Sequence, residues 1–121
     1  MDGENREERQ VTVKELMDKQ IFHIVNVGEE TDRQVTGVFC CDLLSIAMGR
    51  APADGAWVTV MGNVNTIAVA TLADVSCVIM AEGAVLDEVA RAKAKEQGVT
   101  VLATEEPVFE AALKVHQEIH G

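Results

Sequence analysis

Apolar and polar residues alternate along this chain in segments of two kinds. Short apolar runs rich in β-branched side chains predict strands at residues 21–27, 35–41, 57–61, 75–80 and 99–102. Between the later runs, apolar residues recur every three or four positions, as on the buried face of a helix. The last such stripe comprises Val108, Ala111, Ala112, Val115 and Ile119. Because strand and helix alternate three times from residue 57 onward, we expect an α/β domain: a compact three-layer body with a small, mostly parallel sheet covered by helices.

Residues that suit helix ends flank the predicted helices. Thr12 and Glu15 have the spacing of a capping box, which predicts a short helix there. Asp42 is placed to cap a helix after the second strand, and Gly49 to end it. Thr104 is placed to cap the last helix. A further helix should end at Gly98 and bury Val85, Leu86, Val89 and Ala90.

Composition limits the class of protein. A chain of 121 residues with 48% apolar content is one domain, so we expect a flexible acidic tail at residues 1–10, MDGENREERQ, and a single domain at residues 11–121. The net charge of -10 argues against nucleic acid as a partner, because binding its phosphates needs clustered Lys and Arg. We also expect no membrane contact, since no window approaches the roughly 20 apolar residues that cross a bilayer.

The cysteine pattern indicates the compartment. Cys40, Cys41 and Cys77 are an odd number, lie in apolar segments and lack CxxC spacing, so neither a disulfide framework nor a metal site is expected. We interpret all three as small core residues of a cytoplasmic protein.

The segment WVTVMGNVNTIAVA, residues 57–70, predicts a strand that turns directly into an apolar helix. Such a turn can hold an anion, because the first backbone N–H groups of a helix have no partner within it, and ligands of open α/β sheets bind at the carboxyl ends of strands. GxGxxG is absent, however, because Gly62 stands alone. GxxxxGK[ST] is also absent, which excludes a Walker-type ATP site. The helix should bury most of Ile67, Ala68, Val69, Ala70, Leu72 and Ala73.

The polar residues around this turn are the candidate binding residues. Either Asn63 or Asn65 would serve as the cap of the helix, and the other is then available for ligand recognition. We hypothesise a pocket for a small molecule or a nucleotide, with no other cofactor expected. Its candidate lining residues are Asp42, Trp57, Thr59, Gly62, Asn63 and Asn65.

No group in the sequence indicates catalysis. Ser45 and Ser76 lack a GxSxG elbow, and no carboxylate pair lies in an apolar run. His116 and His120 are four residues apart, but no third metal-ligating residue follows at a sequence spacing typical of metal sites, so we expect no metal site. His23 shares a strand face with Ile21 and Val25, which predicts a partly buried, hydrogen-bonded side chain rather than a base.

Five short motifs, taken in order, resemble the stand-alone members of the DRTGG-domain family: DRQVTGV at residues 32–38, CDLLS at 41–45, AWVTVM at 56–61, NTIAVA at 65–70 and VIMAEG at 78–83. The likeness covers about residues 12–115. Such proteins are similar to the N-terminal domain of HPr kinase/phosphorylase and to modules of phosphotransacetylases and nucleotide-regulated pyrophosphatases. The resemblance implies a self-associating regulatory α/β domain of undefined ligand. It does not imply serine kinase activity, because the kinase domain with its phosphate loop is a separate part.

Two functions therefore stay open. The first is a non-catalytic regulatory or ligand-binding module that forms a homodimer through a sheet edge or the final helix. The second is a subunit of a phosphotransfer or redox assembly that contributes to a shared site. Contributors to that site would be Trp57, Asn63, Asn65 and Cys41, with Arg33 and Arg50 as the loop cations near the turn.

Overall fold

A computed structural model describes residues 11–121 and confirms the predicted α/β class. The predicted acidic tail at residues 1–10 lies outside the described residues. The elements are β1 (Val11–Thr12), α1 (Val13–Asp18), β2 (His23–Asn26), β3 (Gln34–Val35), β4 (Gly37–Cys40), α2 (Leu44–Arg50), β5 (Gly55–Thr59), α3 (Val64–Ala73), β6 (Cys77–Met80), α4 (Glu88–Gln97), β7 (Val101–Ala103) and α5 (Val108–His120).

The main sheet has five strands in the order β2-β7-β6-β5-β4. Strands β4 to β7 are parallel, β2 runs antiparallel to β7, and β1 and β3 form a separate two-stranded ribbon. Each crossover from β4 to β7 moves one strand in the same direction. Because such crossovers are right-handed, α2, α3 and α4 lie side by side on one face of the sheet.

Two apolar cores, one on each face of the sheet, complete the three layers. Adjacent residues of β5 serve different cores: Trp57 packs with α3 and α4, whereas Val58 packs with α1 and α5. All residues of β5 and β6 are buried. This explains why the sequence shows continuous apolar runs at these strands rather than alternation.

Several predicted helix ends are confirmed. The Thr12 hydroxyl accepts from the Glu15 backbone N–H at 3.1 Å, and the Glu15 carboxylate accepts from the Thr12 N–H at 2.9 Å, which completes the capping box. Gly98 ends α4 in the left-handed region with φ 70°. Four residues of the predicted stripe of α5, Ala111, Ala112, Val115 and Ile119, are buried, and Val108 is half-buried.

Other predicted ends are wrong, because contacts distant in sequence replace the local ones. Asp42 does not cap α2; the N-cap is Leu43, and α2 continues through Gly49 to Arg50. Thr104 does not cap α5 either. That helix begins after Pro107, and the Glu82 carboxylate accepts from the Val108 N–H at 3.1 Å.

The predicted buried face of α4 is only half right. Leu86 and Ala90 are buried, but Val85 and Val89 are 75% and 67% exposed. The reason is that α4 starts at Glu88 with Asp87 as its N-cap, so residues 83–87 form a loop and not a first turn. In α3, Leu72 is also exposed, contrary to its predicted burial.

Candidate functional site

The Gly62 turn lies at the carboxyl end of β5, where the sequence predicted it. The space beside Gly62 is occupied by the backbone of Val85 and Leu86. A Cβ at Gly62 would lie 2.1 Å from the Val85 carbonyl oxygen, and the Gly62 carbonyl accepts from the Asp87 N–H at 2.9 Å. Gly62 therefore lets the loop at residues 83–87 cross directly over the turn.

The structure separates the two asparagines of the turn. Asn63 is the N-cap of α3, and its side-chain oxygen accepts from the backbone N–H groups of Asn65 and Thr66 at 2.9 and 3.3 Å. The Thr66 hydroxyl donates to the Met61 carbonyl at 2.8 Å. The side chain of Asn65 is exposed and forms no hydrogen bond with any of residues 11–121. The backbone N–H groups in the first turn of α3 thus largely have hydrogen-bond acceptors within the chain.

The other predicted binding residues join β5 to the end of β4. Asp42 Oδ1 accepts from the Thr59 hydroxyl at 2.7 Å and from the Val60 N–H at 2.9 Å. The indole N–H of Trp57 donates to the Cys41 carbonyl at 2.9 Å, and Trp57 is fully buried. The structure brings these residues together at the carboxyl ends of β4 and β5. Their role in ligand binding stays a prediction.

Arg33 and Arg50, the two cations proposed near the turn, lie elsewhere. Arg33 sits at the amino end of the parallel strands, where its Nε is 2.7 Å from Asp54 Oδ1 and its Nη1 is 3.0 Å from Asp74 Oδ1. It also donates to the Asp74 carbonyl. Burial would lower the pKa of Arg33, but the hydrogen bonds to both aspartates more than offset this and raise it. Arg33 thus ties together the two loops that precede β5 and β6, whereas Arg50 is exposed and forms no ion pair within the part of the chain that the structure describes.

The cysteines are free and occupy three different environments. Cys77 is fully buried, which confirms its predicted role as a core residue, and burial raises the pKa of its thiol to about 12. Cys41 is half-buried. Cys40 is exposed, contrary to prediction, because it ends β4 at the edge of the sheet. Burial and the nearby Asp42 carboxylate raise the pKa of Cys40.

The histidines do not form a metal centre with other residues. The rings of His116 and His120 lie 4.2 Å apart between centroids on the exposed side of α5. Within residues 11–121, no group of three or more His, Cys, Asp or Glu side chains is arranged to hold a metal ion. His23 is exposed and not half-buried as predicted, because β2 is the last strand of the sheet.

A groove that the sequence did not predict opens beside β2. The three crossover helices cover the joins between β4, β5, β6 and β7, but β2 adds a further strand with no crossover helix of its own on that face. The result is a groove of about 820 Å³ between β2 and α4, adjoined by a hollow of about 200 Å³ at the ends of β6 and β7. Val25, Val85, Leu86 and Arg91 line both. A volume of this size suits a small molecule.

The loop at residues 83–87 forms one wall of this groove, and backbone hydrogen bonds fix its position. Glu82 and Gly83 have φ of 62° and 71°, and the Gly83 N–H donates to the Thr104 carbonyl at 3.0 Å. With the bond from Asp87 to Gly62, both ends of the loop are fixed. The predicted turn therefore contributes to the groove indirectly, by positioning its wall.

A second cavity lies at the opposite, amino end of the parallel strands. It measures about 150 Å³ and is lined mainly by polar groups, among them Glu30, Arg33 and Asp74. Because Arg33 already pairs with the carboxylates there and the cavity is below the usual size of ligand pockets, we regard it as structural.

Comparison with models of known protein families finds none that matches this chain, and comparison with curated proteins finds no similar sequence. The resemblance to the DRTGG family accordingly stays a prediction. None of the helices that the structure describes has the length and apolar character needed to span a bilayer.

Proposed function

We propose that this chain is a non-catalytic regulatory module that binds a small molecule and forms a homodimer in the cytoplasm. The observation that carries self-association is an open sheet edge with apolar surroundings. Among residues 11–121, β4 pairs only with β5 and is the last strand on its side of the sheet. An unprotected edge strand is a site where a second chain can pair, and a twofold pair would join two sheets into one.

Exposed apolar side chains surround this edge. α2, which follows β4, exposes Ile46 and Met48, and Leu43 is exposed just before it. α5, which packs against β4 from the other face, exposes Phe109 by 68% of its surface, as well as part of Leu113. Exposed apolar side chains on the two helices that flank an edge strand support its use as an interface.

The state of the thiols supports a role without catalysis by cysteine. Only a thiolate is an effective nucleophile or redox group, and the pKa values of Cys40 and Cys77 are raised rather than lowered. This weighs against a redox role for Cys40 and Cys77. The same three free cysteines support the cytoplasm as the compartment.

Sedimentation velocity at micromolar concentration tests the dimer. The wild-type chain, 13.0 kDa as a monomer, should sediment as a dimer. Met48→Glu and Phe109→Glu should each weaken association by about 100-fold, because a twofold interface buries the new carboxylate twice. Val27→Glu is the matched control: Val27 is 56% exposed against 54% for Met48, but follows β2 at the opposite edge.

A monomer at all concentrations would refute self-association. A dimer that dissociates equally in the Val27→Glu control, or in none of the variants, would refute the proposed interface.

A further inference from the structure

The groove between β2 and α4 combines an apolar wall with unpaired positive charge. Val25 is half-buried and Leu86 is buried, whereas Val85, in the wall formed by residues 83–87, is largely exposed. Arg91 and Lys95 follow along the α4 side, one helical turn apart. We infer that this groove binds a small molecule with an apolar body and a carboxylate or phosphate group, which Arg91 and Lys95 hold. The inference rests on the proposed function, since it names the ligand class of that module.

Unpaired cations are unusual in this chain. Its net charge is -10, and five of the eight Lys and Arg residues in the described part form ion pairs with carboxylates. The three that do not are Arg50, Arg91 and Lys95, of which the last two line the same groove. Like charges four residues apart on a helix repel each other, so an anion between them would relieve a cost that the free protein carries.

Two acids, Asp87 and Glu88, precede Arg91 by four and three residues and also line the groove, but neither forms an ion pair with Arg91 within the described residues. Asp87 lies four residues before Arg91, the usual distance for an ion pair along a helix. As the N-cap of α4, however, its Oδ1 accepts from the Ala90 N–H at 2.8 Å. Lys93, between the two groove cations in sequence, pairs with Glu96 at 3.3 Å and does not line the groove. Both cations of α4 that form no ion pair within the described residues therefore line the groove, together with the carboxylates of Asp87 and Glu88.

The shape of the groove favours a small molecule over an added peptide strand. A peptide that extends the sheet would pair with the backbone edge of β2. The groove is instead lined by Val25 and Asn26 of β2, and the adjoining hollow by His23 and Val25. Because the loop at residues 83–87 is already fixed by its backbone hydrogen bonds, little ordering is needed when a ligand enters.

Fluorescence titration with anilinonaphthalene sulfonate, an anion with an apolar body, tests the inference. Its emission should rise on binding to a single site. The double variant Arg91→Gln/Lys95→Gln should weaken binding about tenfold or more, because it removes both charge-assisted contacts. Val85→Asp should also weaken it, whereas Lys93→Gln, on the same helix, should leave it unchanged. Circular dichroism melting of each variant checks that the fold is retained.

Competition identifies the head group. Hexanoate should displace the probe if the site takes carboxylates, hexyl phosphate if it takes phosphate esters, and adenosine monophosphate if it takes a nucleotide. Displacement by any of these supports the inference. Equal displacement by hexylammonium, no displacement by any anion, or binding that the double variant leaves unchanged would overturn it.

Sedimentation of Arg91→Gln/Lys95→Gln separates this inference from the proposed dimer. The groove lies at the β2 end of the sheet and the proposed interface at the β4 end, so this variant should still form dimers. Loss of probe binding in an intact dimer supports the groove. Probe binding by a chain that proves monomeric supports the groove while refuting self-association.

Discussion

Replacing Gly62 with alanine should destabilise the fold, although the backbone conformation of Gly62 needs no glycine. The cause is space. The new Cβ would lie 2.1 Å from the Val85 carbonyl oxygen, 2.9 Å from the Val85 carbonyl carbon and 3.2 Å from the Leu86 Cα. All three are backbone atoms, so a change of rotamer cannot relieve the contact and the loop at residues 83–87 must move.

The magnitude follows from two contributions. Overpacking of this kind costs about 1–3 kcal/mol. Moving the loop also breaks the hydrogen bond from the Asp87 N–H to the Gly62 carbonyl, worth about 0.5–1.5 kcal/mol. We expect a loss of about 2–4 kcal/mol in the free energy of unfolding. With a urea m-value of about 2 kcal/mol/M, the midpoint should fall by about 1–2 M.

Urea denaturation followed by tryptophan fluorescence measures this directly, because Trp57 is the single tryptophan and is fully buried. Gly49→Ala is the matched control. Gly49 lies inside α2, and a Cβ there meets nothing within 4 Å, so alanine should stabilise the helix by about 0.5–1 kcal/mol. A Gly62→Ala midpoint equal to that of the wild type would show that the loop is not held against the turn as described.

Three further outcomes follow from the contacts of the turn and the sheet. Asn63→Ala should cost about 1 kcal/mol in urea denaturation through loss of the α3 cap, whereas Asn65→Ala should be nearly neutral; equal effects would contradict the assignment of the cap. Asp42→Ala should cost about 1–3 kcal/mol because it leaves the buried Thr59 hydroxyl without its acceptor, and Asp42→Asn should retain most of the stability. Folding raises the pKa of Cys77, so the stability that its thiol contributes is complete below about pH 8.5, the usual thiol value, and falls as pH rises toward about 12. The free energy of unfolding of Cys77→Ala should therefore fall less steeply with alkaline pH than that of the wild type. Equal slopes would refute this.

The sequence predicted the elements whose residues carry their own signal. The five apolar residues of α5 recur at helical spacing, and the capping box of α1 is complete within four residues, so neither depends on distant parts of the chain. The continuous apolar runs of β5 and β6 likewise indicated strands buried on both faces. The class of fold was predictable because these patterns alternate in a fixed order.

The failures share a physical cause, which is competition from partners distant in sequence. Asp42 has the residue type of a cap but binds Thr59 and Val60, some 17 residues away. Gly62 accommodates the backbone at Val85, a contact that the sequence did not predict, and its role in ligand binding stays a prediction. No local pattern could show that the loop following β6 crosses this turn.

The groove was missed because it depends on the strand order. Nothing in the sequence of β2 shows that it pairs antiparallel with β7 and lies beyond the last crossover helix. One signal was present, however. Arg91 and Lys95 repeat a positive charge at four residues, in a chain dominated by acids, and Lys95 has no acid three or four residues away. Such a pair marks a helix face to examine for anion binding.

The pairing of β2 with β7 also has a consequence for how the protein is made. β2 leaves the ribosome before β7, its hydrogen-bonding partner, which is synthesised some 75 residues later, and the core beneath α1 is completed only when α5 has been made. The parallel units from β4 to β6 can assemble meanwhile from contacts between neighbouring segments. β2 must therefore wait for its partner strand while about 75 further residues are synthesised, and during that interval it is open to chaperones and proteases.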